Sequence, residues 1–295
     1  MEDVQETTTT TPSANGYSVI AEIDPPKGAN LDSFITSARQ IRGMVHSIRV
    51  TDSEHAIMRM SPLAPCLALK ENKIDPVMVI NGRDRNKISF QADLLGAASL
   101  GITDILLKEG HDPAVGDQPV VGTSGDLNLM TMFKCLAALN DGSDLAGEPL
   151  EGKTDFRYGV SLDLTDDATE NRRLADSFDE MADMGVSSVS LGPTYDLNIL
   201  ETFLPAAERT GLKLYTSIIY LKSVAMIRYL NNLPGTPAIP QEFLKKMMTY
   251  PVKKDGGMQL AADLFSDLKE IGDGTVLLAI GWGDRLAEFL KMIDQ

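Results

Sequence analysis

Short runs of β-branched and apolar residues recur along the chain, each followed by a stretch in which apolar positions return every three or four residues. The runs at 17–23, 45–50, 76–80, 104–107, 157–162, 187–191, 213–218 and 275–280 predict strands. Helical periodicity follows at 31–41, 54–71, 88–100, 126–139, 167–184, 197–210, 223–230 with 241–249, and 258–271, and a last helix is predicted at 284–293. Strand followed by helix, repeated eight times, predicts an α/β protein built as one (β/α)8 TIM barrel. An open doubly wound sheet is the alternative, but no G-x-G-x-x-G follows the first strand. Residues 1–16 are Thr-rich and lack apolar surface to offset ordering entropy, so they read as a disordered tail ahead of a barrel at 17–295.

Two segments break the rhythm. GHDPAVGDQPVVGTSGD, at 110–126, is a long Gly/Pro/Asp loop after the fourth strand, of a length that compact domains usually reserve for function or motion. NNLPGTPAIP, at 231–240, interrupts the helical segment after the seventh strand with prolines.

The charge balance changes the range of functions. Of the 295 residues, 27 are Lys or Arg and 42 Asp or Glu, a net charge of −15, which argues against a nucleic-acid partner because phosphate binding needs clustered cations. No apolar run approaches the roughly 20 residues of a membrane span, and the first residues have neither a basic start nor an apolar core, so the expected location is cytoplasmic. Cys66 and Cys135 sit among apolar neighbours and read as buried reduced thiols. No Cys, His and carboxylate set has metal-ligand spacing, and no metal is expected from the sequence.

In a barrel of this kind the chemistry comes from the C-terminal strand ends and the loops beyond them. Glu22 lies inside the apolar run YSVIAEI just before Pro25-Pro26, where desolvation would raise its pKa and make it a general acid; the bland alternative is an ion pair with a cation such as Arg85. Thr51 closes the second strand. GRDRN, at 82–86, gathers two guanidiniums, a carboxylate and an amide at the head of a helix, so Asp84, Arg85 and Asn86 are candidates to orient an anionic ligand or to cap and brace their own loop. His111, in the long loop and followed by Asp112, titrates in a useful range, whereas His46 and His55 read as structural or exposed. Tyr195, Tyr220 and Trp282 lie at strand ends, suited either to stacking on a planar ligand or to plugging the barrel top.

AEIDPPKG, RVTD, GRDRNKISFQADLLGAASLGITDILL, EGHDPAVGDQP, YLKSVAMIRYLNNLPG and LLAIGWGD, in this order from about 18 to 293, together resemble the methylenetetrahydrofolate reductase family. DRN followed by LLGAASLGI is the specific part of the likeness, and E-x-x-PP alone is weak. The resemblance implies a barrel that binds FAD at its C-terminal strand ends, takes hydride from a reduced nicotinamide, and reduces methylenetetrahydrofolate to methyltetrahydrofolate. Glu22 matches the family carboxylate that protonates the folate so that its five-membered ring opens, and Thr51 matches a threonine that contacts the flavin. Taken together with the residues singled out above, the candidate cofactor-binding set is Thr51, Asp84, Arg85, Asn86 and Asp112, the candidate catalytic pair Glu22 and His111, and the candidate substrate-binding aromatics Tyr195, Tyr220 and Trp282.

Four departures bear on that inheritance. Gly110-His111 stands where the family has Gly-Asp, Val79 or a neighbour replaces a third-strand histidine, Leu191-Gly192 replaces Thr-Gln, and Met181 takes the place of a flavin-phosphate lysine. With Glu109 and His111 near the expected ring and phosphate positions, these replacements predict that flavin binds weakly or not at all, unless Lys108, Arg83 or Arg85 has taken over the phosphate contacts. Three readings follow: a divergent folate-linked oxidoreductase with Glu22 as acid, a tetrahydrofolate- or pterin-binding methyl-transfer protein, and a non-catalytic subunit of a reductase complex. Expected partners are a small folate or pterin, a partner subunit or electron carrier, and further copies of the chain.

Overall fold

The computed structural model describes residues 16–233, 236–280 and 282–294. The tail expected at 1–16 lies, but for Gly16, outside the described residues. Eight parallel strands close on themselves in chain order: β1 (Ser18–Ile23), β2 (Ser47–Val50), β3 (Pro76–Asn81), β4 (Asp104–Lys108), β5 (Arg157–Leu162), β6 (Ser188–Leu191), β7 (Lys213–Ile218) and β8 (Gly274–Leu277). β8 pairs with β1 through Ser18 and Gly274, which removes any free sheet edge. The (β/α)8 barrel read from the sequence is therefore the fold.

Around the barrel run α1 (Asp32–Gln40), α2 (Leu63–Glu71), α3 (Lys87–Ser99), α4 (Leu129–Asp141), α5 (Ala168–Asp176), α6 (Phe178–Asp183), α7 (Leu197–Glu201), α8 (Leu204–Thr210), α9 (Val224–Leu230), α10 (Gln241–Thr249), α11 (Lys253–Leu268) and α12 (Leu286–Ile293). Outward strand residues such as Ile48, Val50, Ile80, Leu107, Val160 and Val189 are fully buried against these helices. Hydrophobic burial on that cylinder is the main stabilising term.

Several predicted boundaries move, each for a local reason. The helix expected over 54–71 is a single 3-10 turn at Glu54–Ala56 followed, after a non-helical stretch, by α2. Ser53, His55 and Ala56 all have positive φ, which no right-handed helix accommodates. The helices expected over 167–184 and 197–210 are each two, breaking at Ser177 and at Thr202-Phe203. The helix expected to begin at 258 begins at Lys253. Gly256 and Gly257 lie inside it: a Cβ on Gly257 would meet the Leu221 carbonyl at 2.2 Å, so this glycine permits close packing on the loop after β7.

The inward faces carry few large side chains at the N-terminal end. Ser18, Ser47, Gly159 and Ser188 leave a cavity of about 780 Å³ there, with Tyr215 and Arg49 on its wall. Glu22, Glu54 and Lys108 lie toward the other end, where β1, β2 and β4 meet their loops.

Candidate functional site

Glu22 and Arg49 are register partners on β1 and β2, so both project from the same face of the sheet. That face is the interior, because the Arg49 Nη2 donates across the barrel to the Ser190 hydroxyl on β6 at 2.8 Å. Both side chains are buried, and the Arg49 Nε has no partner among the described residues. Lys108, half-buried at the end of β4, completes a set of one carboxylate and two cations. Burial raises the Glu22 pKa above the ordinary carboxylate range, against the attraction of Lys108 and Arg49 and with the help of the Glu54 charge. The only hydrogen bond described for its carboxylate is a long one, 3.4 Å from the Ala279 amide. An under-solvated carboxyl facing two cations is a group that can hold a proton and release it.

Lys108 is tied on its other side. Its Nζ donates to Glu54 Oε1 at 2.7 Å, and although burial lowers its pKa, the Glu54 and Glu22 charges raise it further. Glu54 is held below the usual carboxylate range: burial pushes it up, but the Lys108 ammonium beside it outweighs that push. Next in the chain, His55 meets His111 with ring centroids 4.6 Å apart, and the His111 Nδ1 lies 3.6 Å from Glu54 Oε1. His111 is carried by the loop after β4, whose next turn docks on the 3-10 turn: the Asp117 amide donates to the Ala56 carbonyl, Asp117 accepts from the Met58 amide at 2.9 Å, and Lys27 pairs with Asp117. The mouth of the barrel thus brings Glu22, Arg49, Glu54, His55, Lys108 and His111 together.

The other predicted residues are placed nearby but are engaged. The Thr51 hydroxyl, fully buried, donates to Asp24 Oδ1 at 2.7 Å. Arg85, the example cation named above, does not pair with Glu22; the cations beside Glu22 are Lys108 and Arg49. Arg85 pairs with Asp52 at 2.5 Å and Asp93 at 2.8 Å, while Asp52 also accepts from the Asn81 amide and side chain. Asp84 pairs with Arg83, whose Nη1 donates to the His111 carbonyl at 3.0 Å. Asn86 caps α3 by accepting from the amides of Ile88 and Ser89, and Asp112 caps the Pro113–Val115 turn. GRDRN is thus a brace that joins the β2, β3 and β4 loops.

The aromatics sit in the wall. Tyr195 is buried, donates its hydroxyl to the Ile219 carbonyl at 2.5 Å and packs on Phe243. Tyr220 donates to the Lys254 carbonyl at 2.7 Å and stacks on Trp282, which also packs on Phe289. Of the two sequence alternatives, this arrangement is the plug; no open stacking face is formed by these rings. Met181 is buried in the core.

Sequence reasoning missed three members of the site. Arg49 carried a signal, a cation at an inward position of SIRV, whereas Glu54 and His55 were read as the start of an ordinary helix. No metal-ligand spacing is visible along the chain, yet one ligand atom each from Glu54, His55 and His111 lie within 4.8 Å of one another, a proximity that only the fold creates.

No family model matches the chain, and no curated protein matches it in sequence. Among solved structures, the long-chain alkane monooxygenase LadA aligns with a TM-score of 0.54 at 10% identity, over 94% of this chain and 90% of that one. A mutant tryptophan synthase alpha-subunit from Pyrococcus furiosus gives 0.51 at 11% identity, over 94% of both chains. The Bacillus cereus spore cortex-lytic enzyme SleL gives 0.50 at 11% identity, over 93% of this chain and 74% of that one. At such identities the likeness speaks for architecture and not for chemistry. This chain shares its barrel fold with these enzymes.

Proposed function

We propose that this barrel is a folate-linked oxidoreductase, a divergent relative of methylenetetrahydrofolate reductase, with Glu22 as its general acid. The observation that carries the reading is the buried Glu22 carboxyl at the C-terminal mouth, in the E-x-x-PP setting, with its pKa raised by burial and two cations beside it. Protonation at the ring nitrogen distal to the pterin breaks its bond to the bridging carbon; the electron pair of that bond stays on the nitrogen, which takes the Glu22 proton. The iminium left at the other nitrogen accepts a hydride equivalent at carbon and becomes a methyl group. The hydride comes whole from a reduced nicotinamide; with a protein electron carrier as donor, two electrons arrive singly and the accompanying proton is taken from solvent. Arg49 and Lys108 stabilise the carboxylate that Glu22 leaves behind.

The residues present do not fit a flavin. Met181 is buried, Arg85 is taken by Asp52 and Asp93, Lys108 by Glu54, and Asn86 and Asp112 by caps, so the groups named as phosphate or ring partners are already engaged. No step is routed through flavin, and its retention is expected to be weak.

Turnover of methylenetetrahydrofolate to methyltetrahydrofolate, followed chromatographically with NADH, NADPH or a chemically reduced viologen as donor, tests the reading. Glu22→Gln should lower turnover by at least about a hundredfold, the scale of general acid catalysis, with the fold intact. Tetrahydrofolate binding, read from the fluorescence of Trp282, without reduction by any donor would favour the methyl-transfer reading. Absence of both binding and turnover would remove the folate assignment.

A further inference from the structure

We propose that Glu54, His55 and His111 form a binding site for one first-row divalent transition cation at the mouth of the barrel. The three side chains come from two loops. Glu54 and His55 stand on the 3-10 turn after β2, and His111 on the loop after β4. One ligand atom from each lies within 4.8 Å of the others, and His111 Nδ1 is 3.6 Å from Glu54 Oε1. Around a single ion with bonds of about 2.0–2.2 Å, such atoms stand roughly 3–3.5 Å apart. A contraction of about 1 Å, within the reach of side-chain rotation, closes the set.

The backbone that presents these groups is strained. Ser53 (φ 47°), His55 (φ 53°) and Ala56 (φ 56°) occupy the left-handed region without being glycine, a conformation that persists where surrounding structure imposes it and that clusters at ligand sites. What imposes it here is the same loop that carries His111: the Asp117 amide and Gly116 rest on the Ala56 backbone, and Asp117 grips the Met58 amide. The strain therefore turns His55 toward His111 instead of letting it start a helix.

The donor set fixes the class of ion. Two imidazoles and one carboxylate suit zinc, iron(II), cobalt(II) or nickel(II), whereas magnesium and calcium prefer all-oxygen shells. The His111 side chain is 28% exposed and Glu54 15%, so the coordination positions left over open toward the mouth and can take water or a ligand. The competing contact is the Lys108 ammonium on Glu54 Oε1. On metal binding Glu54 offers its other oxygen, or Lys108 turns to Glu22, whose charge it already feels. The site does not depend on the folate assignment, since metal retention is measured without substrate.

The test uses the tag-free full-length chain, stripped with chelator and dialysed. It is loaded with zinc, passed through gel filtration and analysed for retained metal, with affinity from calorimetry. One zinc per chain is expected. His55→Ala and His111→Ala should each weaken binding by more than about tenfold, since even partners outside the coordination shell cost about 10- to 100-fold. Lys108→Met should tighten it. Cobalt(II) loading should give a visible absorption that is lost in the His55→Ala/His111→Ala double variant. No retained zinc, or retention and affinity unchanged in that folded double variant, overturns the proposal; equal affinity for magnesium overturns the class of ion.

Discussion

Glu22 and Arg49 face each other across the β1–β2 pairing, which puts a buried carboxylate and a buried guanidinium side by side inside the barrel. Each is desolvated and each is a partial answer to the other's charge: burial lowers the Arg49 pKa while the Glu22 charge raises it. The pair is the electrostatic centre of the mouth, and Lys108 couples it to Glu54.

The first expectation concerns pH. The groups that face Glu22 are Arg49 on β2, Lys108 on β4, Glu54 on the turn after β2 and the Ala279 amide after β8. The net effect on Glu22 is a raised pKa, so the proton-donating form survives above the ordinary carboxylate range. The kcat/KM should be level at low pH and fall as pH rises through that raised pKa. Stability follows the same sign. The folded state holds this proton more tightly than the unfolded chain, so the contribution is full below the unfolded pKa and is lost as pH rises through the folded one. Urea unfolding of wild type and Glu22→Gln in mildly acidic and mildly alkaline buffers checks it; a wild-type advantage that grows with pH would contradict the sign.

Arg49→Met should destabilise the fold by about 1–3 kcal/mol, because it leaves the Ser190 hydroxyl without its partner and Glu22 buried without its neighbour on β2. Adding Glu22→Gln should recover part of that loss. The double-mutant cycle measured by chemical denaturation gives the coupling directly, and strict additivity would mean that the register pair does not interact.

Asn86 separates a bracing role from a ligand-binding one. As the cap of α3 it accepts from two amides, and Asn86→Ala should lower stability by about 1 kcal/mol. Tetrahydrofolate affinity, measured well below the new melting temperature, should not change. A weakened affinity would instead place Asn86 in contact with ligand.

Gly116→Ala addresses the docking of the long loop. A Cβ there would lie 2.0 Å from the Ala56 carbonyl oxygen, which neither backbone segment can accept unmoved. The loop should lift from the turn at Glu54–Ala56 at a cost of about 1–3 kcal/mol. Faster cleavage by proteases in the 116–126 segment, mapped by mass spectrometry, is the expected readout.

The thiols should be inert. Cys66 and Cys135 are fully buried, and burial pushes the Cys135 thiol up to about 12 and Cys66 still higher. Native protein should resist iodoacetamide at neutral pH, and both residues should react once urea unfolds the chain. Rapid alkylation of either in the native state would show that the core opens there.

The barrel was legible along the chain because its strands are local events. β-branched runs between turn residues identify themselves, and β5 and β7 were placed to the residue from that signal alone. Glu22 was legible for a similar reason, a carboxyl embedded in an apolar strand. The helix breaks at Ser177 and at Thr202-Phe203 were not, since apolar periodicity continues across them.

The site itself depends on distances that no window of sequence contains. That Arg49 faces Glu22 follows only once β1 and β2 are paired in register. That Arg85 serves Asp52 and Asp93, and not Glu22, follows from which loops the GRDRN turn spans. The meeting of His55 with His111 requires a left-handed backbone that residue preferences argue against and that loop docking imposes. Local propensity and periodicity are properties of neighbours in the chain, and they specified the strands, the order of elements and the end of the barrel where chemistry belongs. The pairing of charges at the mouth arises from closure of the sheet and contact between its loops, so it existed only when the chain had folded.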